Sequence, residues 1–383
     1  MNYKFYAVFL LFQMCLFAQT PVWTTFYNGP LNGHDQANGV FFDNNGNIYI
    51  AGEEFGAASG GNFSTVKINP TGNVVWSSTI NGPHNGTDAA YGVCVDNVGN
   101  VYSTGTVQWS LNYFKIQTVK YSPSGSVIWK AVFDSSGNSD GDANAITLDA
   151  DGNIFITGSQ ALANGDYDLI TIKMDSAGNV LNTSSIGQLT NQWDSGTHIL
   201  TDNNGNVYVA GNSYRNNSVG REVVVIKYNN SFDTSWVAHI NGSDNTLNEF
   251  AEGIALDDSG NVHVLCQLQN TNGGADFGII KLNSSGSVVW RVDYNEVGQE
   301  PDNPASISVD DQGNVFVTGR VRRSITGTPF DIITIKYNNS GFQQWKSYYD
   351  GPNNEDDSPV SLSLDQSGNV FICGASNRTG SYY

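Results

Sequence analysis

The string Asp-x-x-Gly-Asn recurs seven times along the chain, starting at Asp43, Asp96, Asp149, Asp202, Asp257, Asp310 and Asp365. Successive copies lie 53, 53, 53, 55, 53 and 55 residues apart. A period this constant means a tandem array, in which each copy is one supersecondary unit whose apolar faces are covered by its neighbours. Two further marks keep the same phase. A Lys follows 24 to 26 residues after each of the first six turn acids (Lys67, Lys120, Lys173, Lys227, Lys281, Lys336), and nine residues beyond it stands Trp76, Trp129, Asn182, Trp236, Trp290 or Trp345. One unit has lost its Trp.

Each unit reads as four strands, A to D. In the second unit these are Gly92-Val93-Cys94-Val95, Val101-Tyr102-Ser103-Thr104, Gln117-Thr118-Val119-Lys120-Tyr121 and Val127-Ile128-Trp129-Lys130. β-Branched and aromatic residues dominate them, and Gly or Pro interrupts too often for any helical period to develop. The A to B link is a tight hairpin in which Gly supplies the left-handed residue and Asp caps the turn. The C to D link, as in Ser122-Pro123-Ser124-Gly125-Ser126, is another. Four short antiparallel strands repeated seven times predict an all-β, seven-bladed β-propeller. Trp23 lies 12 residues before Asp35, as Trp76 lies 12 before Asp88, so the segment around Trp23 is expected to supply strand D of the last blade and close the ring. A Lys 24 residues past Asp365 would fall beyond Tyr383, so that blade is expected to be incomplete, lacking its third strand.

The extended string Asp-x-x-Gly-Asn-(Val/Ile)-(Tyr/Phe)-(Val/Ile)-x-Gly resembles the bacterial SBBP family of β-propeller repeats, and the resemblance runs from Val22 to about Ser376. His263 in place of the aromatic and Cys266 in place of the Gly depart from it in unit five. The resemblance implies a propeller in a secreted or surface protein and carries no catalytic residues over.

Lys4 followed by the apolar run Ala7 to Phe17 and then Ala18 has the form of a secretory signal peptide, so residues 1–18 are expected to be a leader and 19–383 one propeller domain. No later run reaches the roughly 20 apolar residues of a membrane-spanning helix. Secretion to the bacterial cell surface or beyond is the expected localisation, with no membrane insertion and a monomeric state. Cys94, Cys266 and Cys373 sit in apolar strands without Cys-x-x-Cys spacing and are expected to be buried thiols.

With 17 basic against 36 acidic residues the formal net charge is -19, which opposes binding to nucleic acid. Eight residues before the turn acid stands Asp35, Asp88, Asp194, Glu249, Asp302 or Asp357, with Gly141 between Asp140 and Asp142 in the remaining unit. A ring of acids at the channel mouth offers oxygen ligands to a cation such as Ca2+. Their recurrence in nearly every unit favours a structural task instead, each carboxylate holding backbone N–H groups of its own crossover. The turn strings lack the distal Glu and flanking helices of an EF-hand, and the five His show no metal-ligand spacing, so no metal site is expected from them. The six strand-C Lys are expected to pair with the turn Asp residues. The D-strand Trp is expected to pack between blades.

The A to B and C to D turns are short and alike, whereas B to C loops and D to A crossovers are long and differ between units. Both long sets emerge on one face, and variable loops on a rigid scaffold are where recognition concentrates. On that face Trp109, Tyr113, Trp193 and Tyr214 are candidates for stacking on a carbohydrate or protein ligand, with Arg215, Arg320 and Arg322 as local basic groups. The expected activity is binding or scaffolding through this face. The alternative is a propeller enzyme, a polysaccharide lyase or glycosidase using acids at the channel mouth.

Overall fold

The computed structural model describes residues 10–11, 25, 27–29, 33, 35–55, 60–134, 140–162, 164–187, 193–214, 220–241, 247–269, 274–296, 301–323, 329–351, 355–365 and 368–376. Each Asp-x-x-Gly-Asn string forms a tight turn for a reason visible at its first residue. Asp43 Oδ1 accepts the N–H groups of Asn45 and Asn47 at 2.9 and 2.8 Å, while Oδ2 accepts Asn47 Nδ2 at 2.8 Å and the Tyr49 hydroxyl at 3.1 Å. Gly46 stands at φ +76°, where any other side chain is strained, and its N–H donates to the Asp43 carbonyl at 2.9 Å.

These turns join strands into six four-stranded antiparallel sheets with the order A-B-C-D. The first comprises Asp35–Phe42, Ile48–Phe55, Gly61–Ile68 and Val74–Ile80. The A strands of the next five are Ala89–Val95, Gly141–Leu148, Ser195–Thr201, Glu249–Leu256 and Asn303–Val309. Strands B and C are buried on both faces and D strands alternate toward solvent, as in Val127–Phe133. The A strands of successive sheets touch, and each main apolar cluster is shared between neighbouring sheets: Tyr49, Phe63 and Ile80 of the first pack with Val93, Val119 and Tyr121 of the second. The fold is therefore all-β and propeller-like, with its core distributed between sheets. No helix among the described residues is long and apolar enough to cross a membrane. Cys94 and Cys266 are buried free thiols, and burial pushes the Cys373 thiol up to about 11.

The strand-C Lys residues correct the sequence reading. An ion pair to the turn Asp is seen for Lys281 with Asp257 at 3.0 Å and for Lys336 with Asp310 at 3.7 Å. The commoner partner is the strand-B aromatic directly across the ladder. Lys67 lies 5.1 Å from the centre of the Tyr49 ring, Lys120 4.9 Å from Tyr102, Lys173 5.4 Å from Phe155, Lys227 4.9 Å from Tyr208 and Lys336 4.7 Å from Phe316. The register pairs Tyr49 with Lys67 and Lys67 with Trp76, and the ammonium is held over the electron-rich face of the Tyr49 ring.

The Trp couples one sheet to the next. Trp76 Nε1 donates to the Pro123 carbonyl at 3.1 Å, Trp129 to Ser176 at 3.2 Å, Trp236 to Ser284 at 3.0 Å and Trp290 to Asn339 at 3.0 Å, each acceptor lying in the C to D turn of the following unit. The turn Gly lies flat on the indole: a Cβ added at Gly125 would meet Trp76 at 2.7 Å, and one at Gly286 would meet Trp236 at 2.8 Å. Where Asn182 replaces the Trp, the following turn has Phe232 instead of Gly, held at φ +69°. Its ring stacks on Tyr228 at 4.8 Å and reaches Phe155 at 5.9 Å, filling from the far side the volume an indole fills elsewhere.

Among the described residues the seventh sheet has three strands, Asp357–Leu364, Val370–Ser376 and the short Leu10–Leu11, the last pairing Leu10 with Ile372 and Leu11 with Phe371. An extended apolar piece of the expected leader thus covers the open edge of Val370–Ser376, as an unpaired edge favours. Trp23, expected in that sheet, lies outside the described residues. An apolar cleft of about 120 Å³ is lined by Phe42, Ile50 and Val66 of the first sheet and by Val360 and Cys373 of the seventh.

Phe232→Gly is expected to cost about 3–5 kcal/mol from the vacated volume, less ~1 kcal/mol of relieved backbone strain. The double variant Asn182→Trp with Phe232→Gly recovers most of that loss, whereas Asn182→Trp alone destabilises. Urea denaturation of the three variants checks the order.

Candidate functional site

The six acids expected at the channel mouth stand at or next to the start of strand A, and five of them accept backbone N–H groups. Asp35 Oδ2 accepts Gly29 N at 2.7 Å, Asp302 Oδ2 accepts Glu296 N at 2.7 Å and Asp357 Oδ2 accepts Gly351 N at 2.6 Å, each donor six residues upstream. Asp88 takes Gly82 N with one oxygen and Gln108 N, at 2.7 Å, with the other; Asp194 takes Tyr214 N at 2.8 Å. The N–H groups of four of them donate to carbonyls at the start of strand C, Asp88 to Gly61 at 2.6 Å, Asp194 to Tyr167 at 2.7 Å, Asp302 to Ala275 at 2.6 Å and Asp357 to Phe330 at 2.7 Å. One residue thereby ties the D to A crossover, the B to C connection and the inner strand together. Asp88, Asp194, Glu249, Asp302 and Asp357 are almost wholly buried. In the third unit Asp140 does the related work, accepting Phe114 N at 2.8 Å and the Tyr167 hydroxyl at 3.1 Å.

Among the described residues one acidic group has metal-like spacing: carboxylate oxygens of Asp331, Asp350 and Asp357 lie within 4.8 Å of one another. Arg323 already occupies it, pairing with Asp331 and, at 3.2 Å, with Asp350, while Asp357 Oδ2 is held by Gly351. The charge is met by a guanidinium rather than left for a cation.

Around these fixed points the long connections carry aromatic side chains. Trp109 lies near the end of strand B of the second sheet, Val101–Ser110, and Tyr113 opens strand C, Tyr113–Tyr121. The segment expected as a long loop is mostly a ladder turned at Leu111 and Asn112, so both aromatics stand on a rigid hairpin. Trp109 is 43% exposed and Lys115, itself paired with Asp134, lies 5.0 Å from its ring. Trp193, 49% exposed, sits in the crossover before the fourth sheet and stacks on Tyr167 with centroids 4.6 Å apart and planes 22° from parallel. A parallel bridge between the same two residues fixes the backbone beneath. Tyr214 ends strand B of the fourth sheet with the Arg221 guanidinium 5.2 Å from its ring. Arg320 and Arg322 lie 4.8 and 4.4 Å from the Phe330 ring centre. Arg215 is outside the described residues. Arg221 belongs to the basic loop residues that the sequence marks on this face, whereas sequence reasoning missed Tyr167, Lys115 and Phe330; Tyr167 opens strand C and Phe330 precedes it, and only the crossover contact reveals them.

Residues 188–217, from the crossover bearing Trp193 to just past strand B of the fourth sheet, match the SBBP family model, a β-propeller repeat. No curated protein matches the sequence. Among solved structures the chain is similar to a polysaccharide lyase of family PL25, an ulvan lyase bound to -[GlcA(1-4)Rha3S]-, with a TM-score of 0.59 and 9% identity over 91% of this chain and 89% of that one. It is also similar to a protein of unknown function from Bacteroides caccae, with a TM-score of 0.42 and 14% identity over 75% of this chain and 90% of that one. The lyase is a propeller-type structure, and the likeness places this chain in the same fold.

Burial, reinforced by the charges of Asp276 and Glu296, pushes the Asp302 carboxyl up to about 7 against the pull of the Glu296 N–H and Lys346. A carboxyl raised in the folded state stabilises most below its unfolded value of ~3.9 and loses that contribution as pH climbs toward its folded value. Asp302→Asn, which cannot ionise, is therefore expected to gain stability relative to the parent between pH 4.5 and 7.5. Denaturant midpoints of both proteins at the two pH values measure it.

Proposed function

We propose that the chain is a secreted or surface-exposed carbohydrate-binding module of the bacterial envelope, meeting its ligand on the face that carries the B to C connections and D to A crossovers. The observation that carries this reading is the Trp193 ring, half exposed and already stacked on Tyr167. A planar apolar surface held in place before the ligand arrives loses little entropy on binding, which suits it to the C–H face of a sugar ring. Trp109 and Tyr113 on their hairpin, and Tyr214 beside Arg221, extend the same kind of surface over the second to fourth sheets. Saccharide rather than protein is favoured because these aromatics stand apart on separate sheets, each beside polar groups, instead of forming one apolar patch.

A lyase or glycosidase reading needs a pair of acids free to exchange protons. The acids best placed for that are engaged by backbone N–H groups, which supports binding over hydrolysis or elimination. The proposal further takes the seven sheets as a closed ring, with the segment around Trp23 completing the last one after removal of residues 1–18.

On a glycan array the purified protein is expected to retain a defined set of polysaccharides without cleaving them. Trp193→Ala should weaken retention by about tenfold or more, as loss of a central aromatic anchor does. Equal retention by Trp193→Ala and the parent, or release of unsaturated or reducing ends, would contradict the reading.

A further inference from the structure

The innermost strands are stitched together by a position the turn string does not mark. Every strand A carries a β-bulge at its middle, at Asn38, Tyr91, Asn144, Thr197, Glu252, Ala305 and Val360. In three sheets the bulged side chain donates to a carbonyl of the next inner strand: Asn38 Nδ2 to Ala90 at 3.0 Å, Asn144 Nδ2 to Gly196 at 2.8 Å and Thr197 Oγ1 to Ala251 at 3.4 Å. Ala305 and Val360 have no donor to offer, and the Glu252 carboxylate has none while ionised. In three sheets the strand-B side chain ten residues after the turn acid also reaches across, Thr106 Oγ1 donating to Asp142 Oδ1 at 3.0 Å in the second. Asn212 Oδ1 accepts the Ala251 N–H at 2.9 Å, and Gln267 Nε2 donates to Asn303 Oδ1 at 2.9 Å. The backbone donor that Ala251 offers is absent one and two sheets later, where Pro304 and Pro359 stand.

The inner wall therefore opens between the fifth, sixth and seventh sheets into a recess of about 370 Å³, lined by Glu252, Gln267, Asn303, Arg320, Ser358 and the two prolines. That volume is within the ~300–1,000 Å³ of small-molecule sites, and the lining is polar where such sites are usually apolar. Opposite charges enter it from different sheets and do not meet. Among the described residues the Arg320 guanidinium makes no hydrogen bond or ion pair, only its face contact with Phe330, which leaves the in-plane donors open. Glu252 likewise has no hydrogen-bond partner among them, and burial alone pushes its carboxyl up to about 7. An acid that is part-neutral near pH 7 gives and accepts a hydrogen bond and repels an incoming anion little.

We propose that this recess binds a small sugar acid, its carboxylate gripped by the Arg320 guanidinium and its hydroxyls by Glu252, Gln267, Asn303 and Ser358. The planar guanidinium fork matches a carboxylate in two-point geometry, and an arginine already stacked on a ring keeps that fork oriented. Several neutral and acidic partners suit several hydroxyls, whereas the single ammonium of an amino acid would satisfy Glu252 and leave the amides idle. The recess uses none of Trp109, Tyr113, Trp193 and Tyr214, so failure of either binding reading leaves the other standing.

Calorimetric titration of the purified protein with D-glucuronate is the test, with D-glucose and L-serine as comparison ligands. One-site binding of glucuronate is expected, with glucose and serine each weaker by about tenfold or more, the weight of one charge-assisted hydrogen-bond pair. Arg320→Gln should lose a similar factor, and Ala305→Leu, which fills the recess without changing charge, should lose binding altogether. Melting curves establish that both variants are folded. Absence of glucuronate binding to the parent overturns the proposal, as does tighter binding of serine, equal binding of glucose, or unchanged binding in folded Arg320→Gln and Ala305→Leu.

Discussion

The contact on which the array depends is an indole laid against the turn of the following sheet. A four-stranded sheet of this size cannot bury both of its faces alone, so each unit's stability is largely the energy of its junction with the next. The indole serves both halves of that junction, partly burying a large ring and donating its single N–H to a carbonyl of the next C to D turn. The C to D turn must then present a flat surface, which is why Gly125, Gly178, Gly286 and Gly341 stand where they do. Glycine there satisfies the positive φ of the turn and the close approach of the ring at once.

Rigidity at the junctions and at the crossovers frees the remaining connections to differ. The buried acids at the start of strand A spend their carboxylates on local backbone, fixing the ends of the long loops without entering their chemistry. The variable side chains therefore stand on a platform that does not change with them. Trp193 shows the result: its crossover is bridged to strand C, and the ring is consequently presented at one angle.

What could be read from the residues alone followed the period. The turn acid, its Gly, the inter-sheet Trp and the four-strand unit all recur at one spacing, and repetition separates such signals from chance. Features that occur once, or that depend on register, did not show. The Lys was assigned to Asp because both carry charge, whereas cross-strand register sets Lys67 opposite Tyr49, whose ring centre it meets at 5.1 Å. The stretch from Val107 to Phe114 looked like a loop because its length differs from its counterparts, yet it continues the ladder. Glu252 was invisible because a bulge inserts its residue without altering the distance between turns. Tyr167 was missed because stacking between a crossover and a strand start leaves no local pattern.

The exchange at Asn182 and Phe232 gives the array a memory of its order. Arrays of this kind grow and shrink by copying or deleting whole modules, and most modules here carry the same tenon and mortise, a Trp on one side and a Gly on the other. The third and fourth do not. A crossover event that parted them would set Asn182 against a Gly and leave a gap, or drive Phe232 into an indole. Recombination elsewhere in the array would preserve every joint, so this pair is expected to be inherited together while the modules around it are free to multiply.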